Sequence, residues 1–188
     1  MKRHILTACF CLLFPLLCSA QESMIAISAS ARSTGMSGHG IILTIENIET
    51  HQIYESKCLH AISDNAVIDK IPAGLYEVCR IEIPFGDRRY WNESPEIRGL
   101  FGTIEILPNT NYFMGKYKSV HQGKMSHRQV LFSLEGQDMP EKLVKYIEKQ
   151  GLAVEDFVPI LPKEDSFVLA EFSELTNKAY IGGVGIAF

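Results

Sequence analysis

Apolar and polar residues alternate along most of this chain. Residues 39–48 (HGIILTIENI) place Ile41, Leu43 and Ile45 on one face and Thr44 and Glu46 on the other. A period of two marks a half-buried strand. Residues 50–59 follow after a short polar turn, so the two segments are expected to pair as a hairpin. Residues 75–83 (LYEVCRIEI) alternate most clearly, with Leu75, Cys79, Ile81 and Ile83 on one face and Arg80 and Glu82 on the other. Further strands are predicted over 23–30, 66–71, 101–107, 112–120, 129–134, 157–161, 166–172 and 179–188. Asp64-Asn65, Pro72-Ala73-Gly74 and the run 108–111 (PNTN) supply turn residues between them. Residues 31–38 read as a Ser/Gly-rich loop, and residues 85–99 as a long polar and aromatic loop.

One segment breaks the pattern. Leu143, Val144 and Ile147 form a helical stripe, with Lys142, Lys145 and Lys149 off it. Asp138 and Glu141 have capping-box spacing, Pro140 suits a first turn, and Gly151 suits the position after the helix end. No internal repeat or linker interrupts the chain. The fold class expected is mainly β with one C-terminal helix.

The first twenty residues differ from the rest. Lys2, Arg3 and His4 precede the apolar run 5–17, and small residues end at Ala20. This is the order of a secretory signal peptide, with cleavage expected after Ala20. The run is too short to cross a bilayer core of about 30 Å as a helix, and no later stretch approaches that length. Lipidation of Cys18 is the alternative, disfavoured because Leu17 stands where a small residue is normal. The expected location is therefore periplasmic or secreted, with no transmembrane helix after cleavage.

Charge narrows the partners. The chain carries 18 basic and 22 acidic residues, net −4. Losing Lys2 and Arg3 makes the exported part more acidic still. An acidic chain without a basic cluster is a poor ligand for nucleic acid. Export also removes Cys9, Cys11 and Cys18, leaving Cys58 and Cys79. Two cysteines in an oxidising compartment suggest a bridge; two buried free thiols are the alternative. A bridge would close a loop of about 20 residues and contribute about 3 kcal/mol.

Residues 71–78 (IPAGLYEV) resemble the L-P-x-G-x-Y-x-V signature of transthyretin-like β-sandwiches, of which carboxypeptidase regulatory-like domains are the largest group. The likeness extends over residues 39–84. It implies a Pro-Gly turn delivering the chain into a core strand, a tyrosine packed beside it, and an accessory binding or structural role. On this basis residues 22–135 are expected to form a transthyretin-like antiparallel β-sandwich. Residues 136–188 would add an α+β extension packed on the same domain.

Patterns for catalysis are sparse. His39, His51, His60, His121 and His127 show no H-x-x-x-H or H-E-x-x-H spacing, and His121 and His127 read as solvated loop residues. No G-x-S-x-G elbow is present. The glycines at 35, 38 and 40 precede a strand and lack the lysine of a phosphate loop. No catalytic, metal or cofactor-binding residue is assigned. Arg88, Arg89, Tyr90 and Trp91 stand out in the long loop. They are of the types that stack on sugars or anchor a protein, and they include the only tryptophan. The other reading is that Tyr90 and Trp91 plug one end of the sandwich.

The function expected is a non-catalytic binding or structural module of the envelope, with an envelope protein or glycan as partner. A periplasmic hydrolase is one alternative. A small outer-membrane barrel is another, suggested by the alternation of Tyr180, Gly182, Val184, Ile186 and Phe188.

Overall fold

The computed structural model describes residues 22–33, 36–37, 41–58, 64–85, 88–92, 95–124, 127–173, 178–181 and 184–187. The expected signal peptide and its expected cleavage point lie outside the described residues.

Among the described residues, two β-sheets, two short α-helices and a 3-10 turn (Val154–Asp156) make up the fold. The first sheet contains β1 (Ser23–Ser33), β2 (Met36–Ser37), β5 (Lys57–Cys58), β6 (Asn65–Ile71), β10 (Asn111–Lys124) and β11 (His127–Gly136). It is completed by β12 (Phe157–Pro159), β13 (Ser166–Ser173), β14 (Lys178–Ile181) and β15 (Val184–Ala187). Its order is β15-β14-β13-β11-β10-β1-β6-β5, with β12 beside β10 and β2 beside β1. β1 runs parallel to β10 and antiparallel to β6. The second sheet has the order β4-β3-β7-β8, built from β3 (Ile42–Asn47), β4 (Ile53–Glu55), β7 (Gly74–Phe85) and β8 (Arg88–Asn92). β9 (Ile104–Ile106) also pairs with β7. Strands from beyond residue 136 thus join the sheet that the N-terminal strand begins.

β1 shows why the layers stack. Ile25, Ile27 and Ala29 point into a core shared with Leu43, Ile45, Tyr76, Val78 and Ile81 of the second sheet. Met24 and Ala26 point the opposite way. Both faces are apolar because both are covered: one by the second sheet, the other by helix α2 (Glu141–Lys149). Leu143 and Ile147 are fully buried there against Met24, Ala26, Val67 and Phe113. Complete burial of such side chains stabilises by about 1.5–3 kcal/mol each.

The helix ends differ from expectation at one side. Pro140 is the N-cap and no side chain caps the first turn, so the predicted box between Asp138 and Glu141 does not form. The proline has already set the extended backbone that an N-cap needs. The C-terminal end follows the sequence. Gly151 takes φ +77 and its N–H donates to the Glu148 carbonyl, while Leu152 donates to Ile147.

Residues 85–99 are not a long loop. β8 pairs antiparallel with β7, and helix α1 (Pro95–Leu100) follows. Pairing with β7 satisfies backbone groups that a loop would leave to water. β8 and β9 lie end to end along β7, with α1 between them in sequence.

The turn into β7 is tightly built. A Cβ at Gly74 would stand 2.8 Å from Asn47 Nδ2. The Asn47 Oδ1 accepts from the Glu49 and Thr50 amides and so holds the β3–β4 turn. Tyr76, fully buried, donates its hydroxyl to the Pro72 carbonyl at 2.9 Å and meets Tyr54 edge-on.

Candidate functional site

The outer face of the second sheet gathers charge. Register sets Glu46 of β3 directly opposite Glu77 of β7. Like charges facing each other across a ladder repel. Arg98 of α1 lies over both and donates to Glu46 Oε2 at 2.8 Å and Glu77 Oε2 at 3.4 Å. His51, from the β3–β4 turn, bonds to the other Glu46 oxygen at 2.9 Å. The His51 bond, and next the Arg98 bond, hold the Glu46 carboxyl below its usual range. Arg98 can reach because Ile97 and Leu100 anchor α1 in the core. Nearby, Arg80 pairs with Glu55 at 3.2 Å. These groups saturate one another, which suits fastening α1 to the sheet.

Cys79 sits beside this cluster. In the β3–β7 register, Ile45 pairs with Val78 and Thr44 with Arg80, so Cys79 is the extra residue of a β-bulge. The bulge shifts the alternation: Tyr76 and Val78 face the core together with Ile81, where strict alternation expects Leu75 and Cys79 to join it; the Ile83 side chain lies outside the described residues. The Cys79 thiol is buried, donates to the Thr44 carbonyl at 3.4 Å, and has its ionisation pushed up by burial.

The expected Cys58–Cys79 bridge is corrected at Cys79, which is a free thiol. Cys58 is on β5, at the edge of the first sheet and opposite Ala66, whereas Cys79 belongs to the second sheet. The Cys58 side chain lies outside the described residues.

Arg88, Arg89, Tyr90 and Trp91 stand on β8, the last strand of the second sheet among the described residues, opposite Phe85, Pro84, Ile83 and Glu82. β8 lies against β13 and β14 of the first sheet. The side chains of these four residues lie outside the described residues. His121 and His127 belong to the paired strands β10 and β11, opposite Val130 and Lys124, and not to a loop. His39 and His60 lie outside the described residues. Among the described residues no three His, Cys, Asp or Glu side chains gather as metal ligands.

On the outer face of the first sheet, an open groove of about 230 Å³ lies where α2 begins. Ser28, Ser30, Asp64, Lys116, Pro140 and Glu141 are among its lining residues. Much of the lining is already engaged. Ser28 Oγ donates to the Asp64 carbonyl at 3.1 Å, Lys116 pairs with Glu135 at 3.1 Å, and Glu141 pairs with Lys145.

Sequence reading missed Arg98 because it fell in the supposed loop. Glu46 read only as a polar-face position and Glu77 only as part of the 71–78 motif, and nothing in the sequence tells which acids a strand register will oppose.

No family model matches the chain, and no curated protein matches it. Among solved structures, it is similar to a leucine-rich repeat protein from Bacteroides thetaiotaomicron, at 14% identity and a TM-score of 0.30. That likeness covers 52% of this chain and 14% of the other, so this chain spans a small part of that protein's length.

Proposed function

We propose that the protein is an exported, envelope-associated module of the transthyretin-like sandwich type, acting by binding and not by catalysis. The observation that carries this reading is the position of β8. The segment holding two arginines, a tyrosine and the only tryptophan is the end strand of the second sheet among the described residues. The chain that follows it is held by the Arg98 contacts to Glu46 and Glu77. An end strand rich in Arg, Tyr and Trp on a braced frame suits recognition of an envelope protein or glycan. The sandwich type is supported by a core shared between two sheets and by the Pro72–Tyr76 turn. Export is supported by the N-terminal pattern of residues 1–20.

Capture from an envelope extract, run beside peptidoglycan and a glycan panel, tests the reading with wild type and Trp91→Ala. The expected result is capture weakened about thirtyfold, or about 2 kcal/mol, with the unfolding midpoint nearly unchanged. A large drop in midpoint without a selective loss of capture refutes it. Extraction without detergent separates this module from a barrel.

A further inference from the structure

We propose that the outer face of the first sheet, beyond the cover of α2, binds an acidic oligosaccharide, with Lys118 holding a sugar carboxylate and Ser30, Ser133 and Ser166 meeting sugar hydroxyls.

This face changes character along its strands. Near the start of β1 and β10, Met24, Ala26 and Phe113 lie under α2. Further along, the outward positions are Ser28 and Ser30 on β1 and Lys116 and Lys118 on β10. Tyr117, between the two lysines, points into the core. The change from apolar to polar falls where α2 begins. The open groove of about 230 Å³ lies there, with Ser28, Ser30, Lys116 and Lys142 in its lining.

One polar row leads from this groove across four strands. Ser30 of β1 stands opposite Lys118 of β10, Lys118 opposite Ser133 of β11, and Ser133 opposite Ser166 of β13. Residues opposite each other project to one side of a sheet, so a hydroxyl, an ammonium and two more hydroxyls line up over three strand spacings, about 14 Å. Ser30, Lys118 and Ser133 are partly exposed and Ser166 is exposed. At this row β10 and β11 are bonded on both sides, so their backbones offer no edge to a peptide strand. The side chains alone are available. A serine hydroxyl both donates and accepts, as a sugar hydroxyl does.

Charge selects an acid. Lys116 is matched by Glu135, and Glu141 by Lys145. Asp64, which also lines the groove, is engaged as well. Lys118 and Lys142 have no ion-pair partner among the described residues. A partly buried ammonium without a counter-ion is unfavourable, and a carboxylate seated on the row would remove that penalty.

Calorimetric titration of the whole folded protein tests this, with tetragalacturonate, its methyl ester and sodium acetate as probes. Saturable binding of tetragalacturonate is expected, about tenfold tighter than the ester and weaker at high salt. Lys118→Gln should lose about tenfold for the acid and little for the ester, Lys118→Arg should keep most of the affinity, and Ser133→Ala should lose about threefold for both. Free Lys118→Gln should unfold at or above the wild-type temperature, because it removes an unmatched charge. Absence of saturable binding, equal affinity for acid and ester, acetate competing as well as the oligosaccharide, or full binding by Lys118→Gln overturns the proposal. So does a lower unfolding temperature of Lys118→Gln, which would mean that the ammonium already has a counter-ion. The site stands apart from recognition by β8: binding lost in Trp91→Ala but kept in Lys118→Gln would assign the sugar to β8 and overturn it.

Discussion

Glu46 and Glu77 face each other across β3 and β7, and the single guanidinium of Arg98 bonds to both. Two carboxylates in register are tolerable because a helix from beyond β8 brings a cation over them. The three residues are far apart in sequence, so the contact reports that α1 has docked.

Arg98→Ala should therefore leave a like-charge pair uncovered. Because Arg98 is 42% exposed, solvent screens the gain and the expected loss is about 1 kcal/mol. Adding Glu77→Gln should recover part of it by removing the repulsion. Denaturant midpoints for the single and double variants, at low and high salt, check this. A loss unaffected by salt argues against the electrostatic account.

Glu46 gives a pH signature. Its folded carboxyl is held below the ordinary value of 4.5, by the His51 bond first and the Arg98 bond second. The stabilisation is present above 4.5 and is lost as pH falls through the lower, folded value. Stability of wild type relative to Glu46→Gln should be greatest above pH 4.5 and shrink steadily below it. A difference that grows on acidification would contradict the assigned direction.

Gly115 should resist substitution. It takes φ +100, and a Cβ there would meet Leu134 Cδ1 at 2.7 Å, Gln137 Nε2 at 2.8 Å and the Gly136 carbonyl at 3.3 Å. Backbone strain and contact act together, so Gly115→Ala should cost about 2 kcal/mol or more. Gly151→Ala, with open space around it, should cost less, and that ordering is the check.

Cys79 should behave as a shielded free thiol. Native protein should leave it unalkylated, because it is buried and its ionisation is raised. Denatured, unreduced protein should alkylate it fully. Peptide mapping that finds a disulfide at Cys79 would overturn the geometry described here.

Much of the architecture was legible in local pattern. The strands near 42–47, 65–71 and 74–85 and the helix over 141–149 follow from period two and period 3.6. β3 buries Leu43 and Ile45 and the helix buries Leu143 and Ile147, as those periods require, and Gly151 ends the helix as its conformational freedom allows. β8 was not legible. Residues 88–92 carry little apolar alternation, and they form a strand because β7 offers an unpaired edge beside them.

The sequence by itself determined which segments extend and which coil, because those preferences are written in neighbours two to four residues apart. Tertiary structure alone decided the rest. The bulge at Cys79 moves Val78 and Ile81 inward together, which a strict alternation forbids. The two cysteines that compartment chemistry would join belong to different sheets. Glu46, Glu77 and Arg98 become one cluster only when β3, β7 and α1 pack. Register and docking join positions tens of residues apart, and the periods of single strands and helices hold no record of those distances.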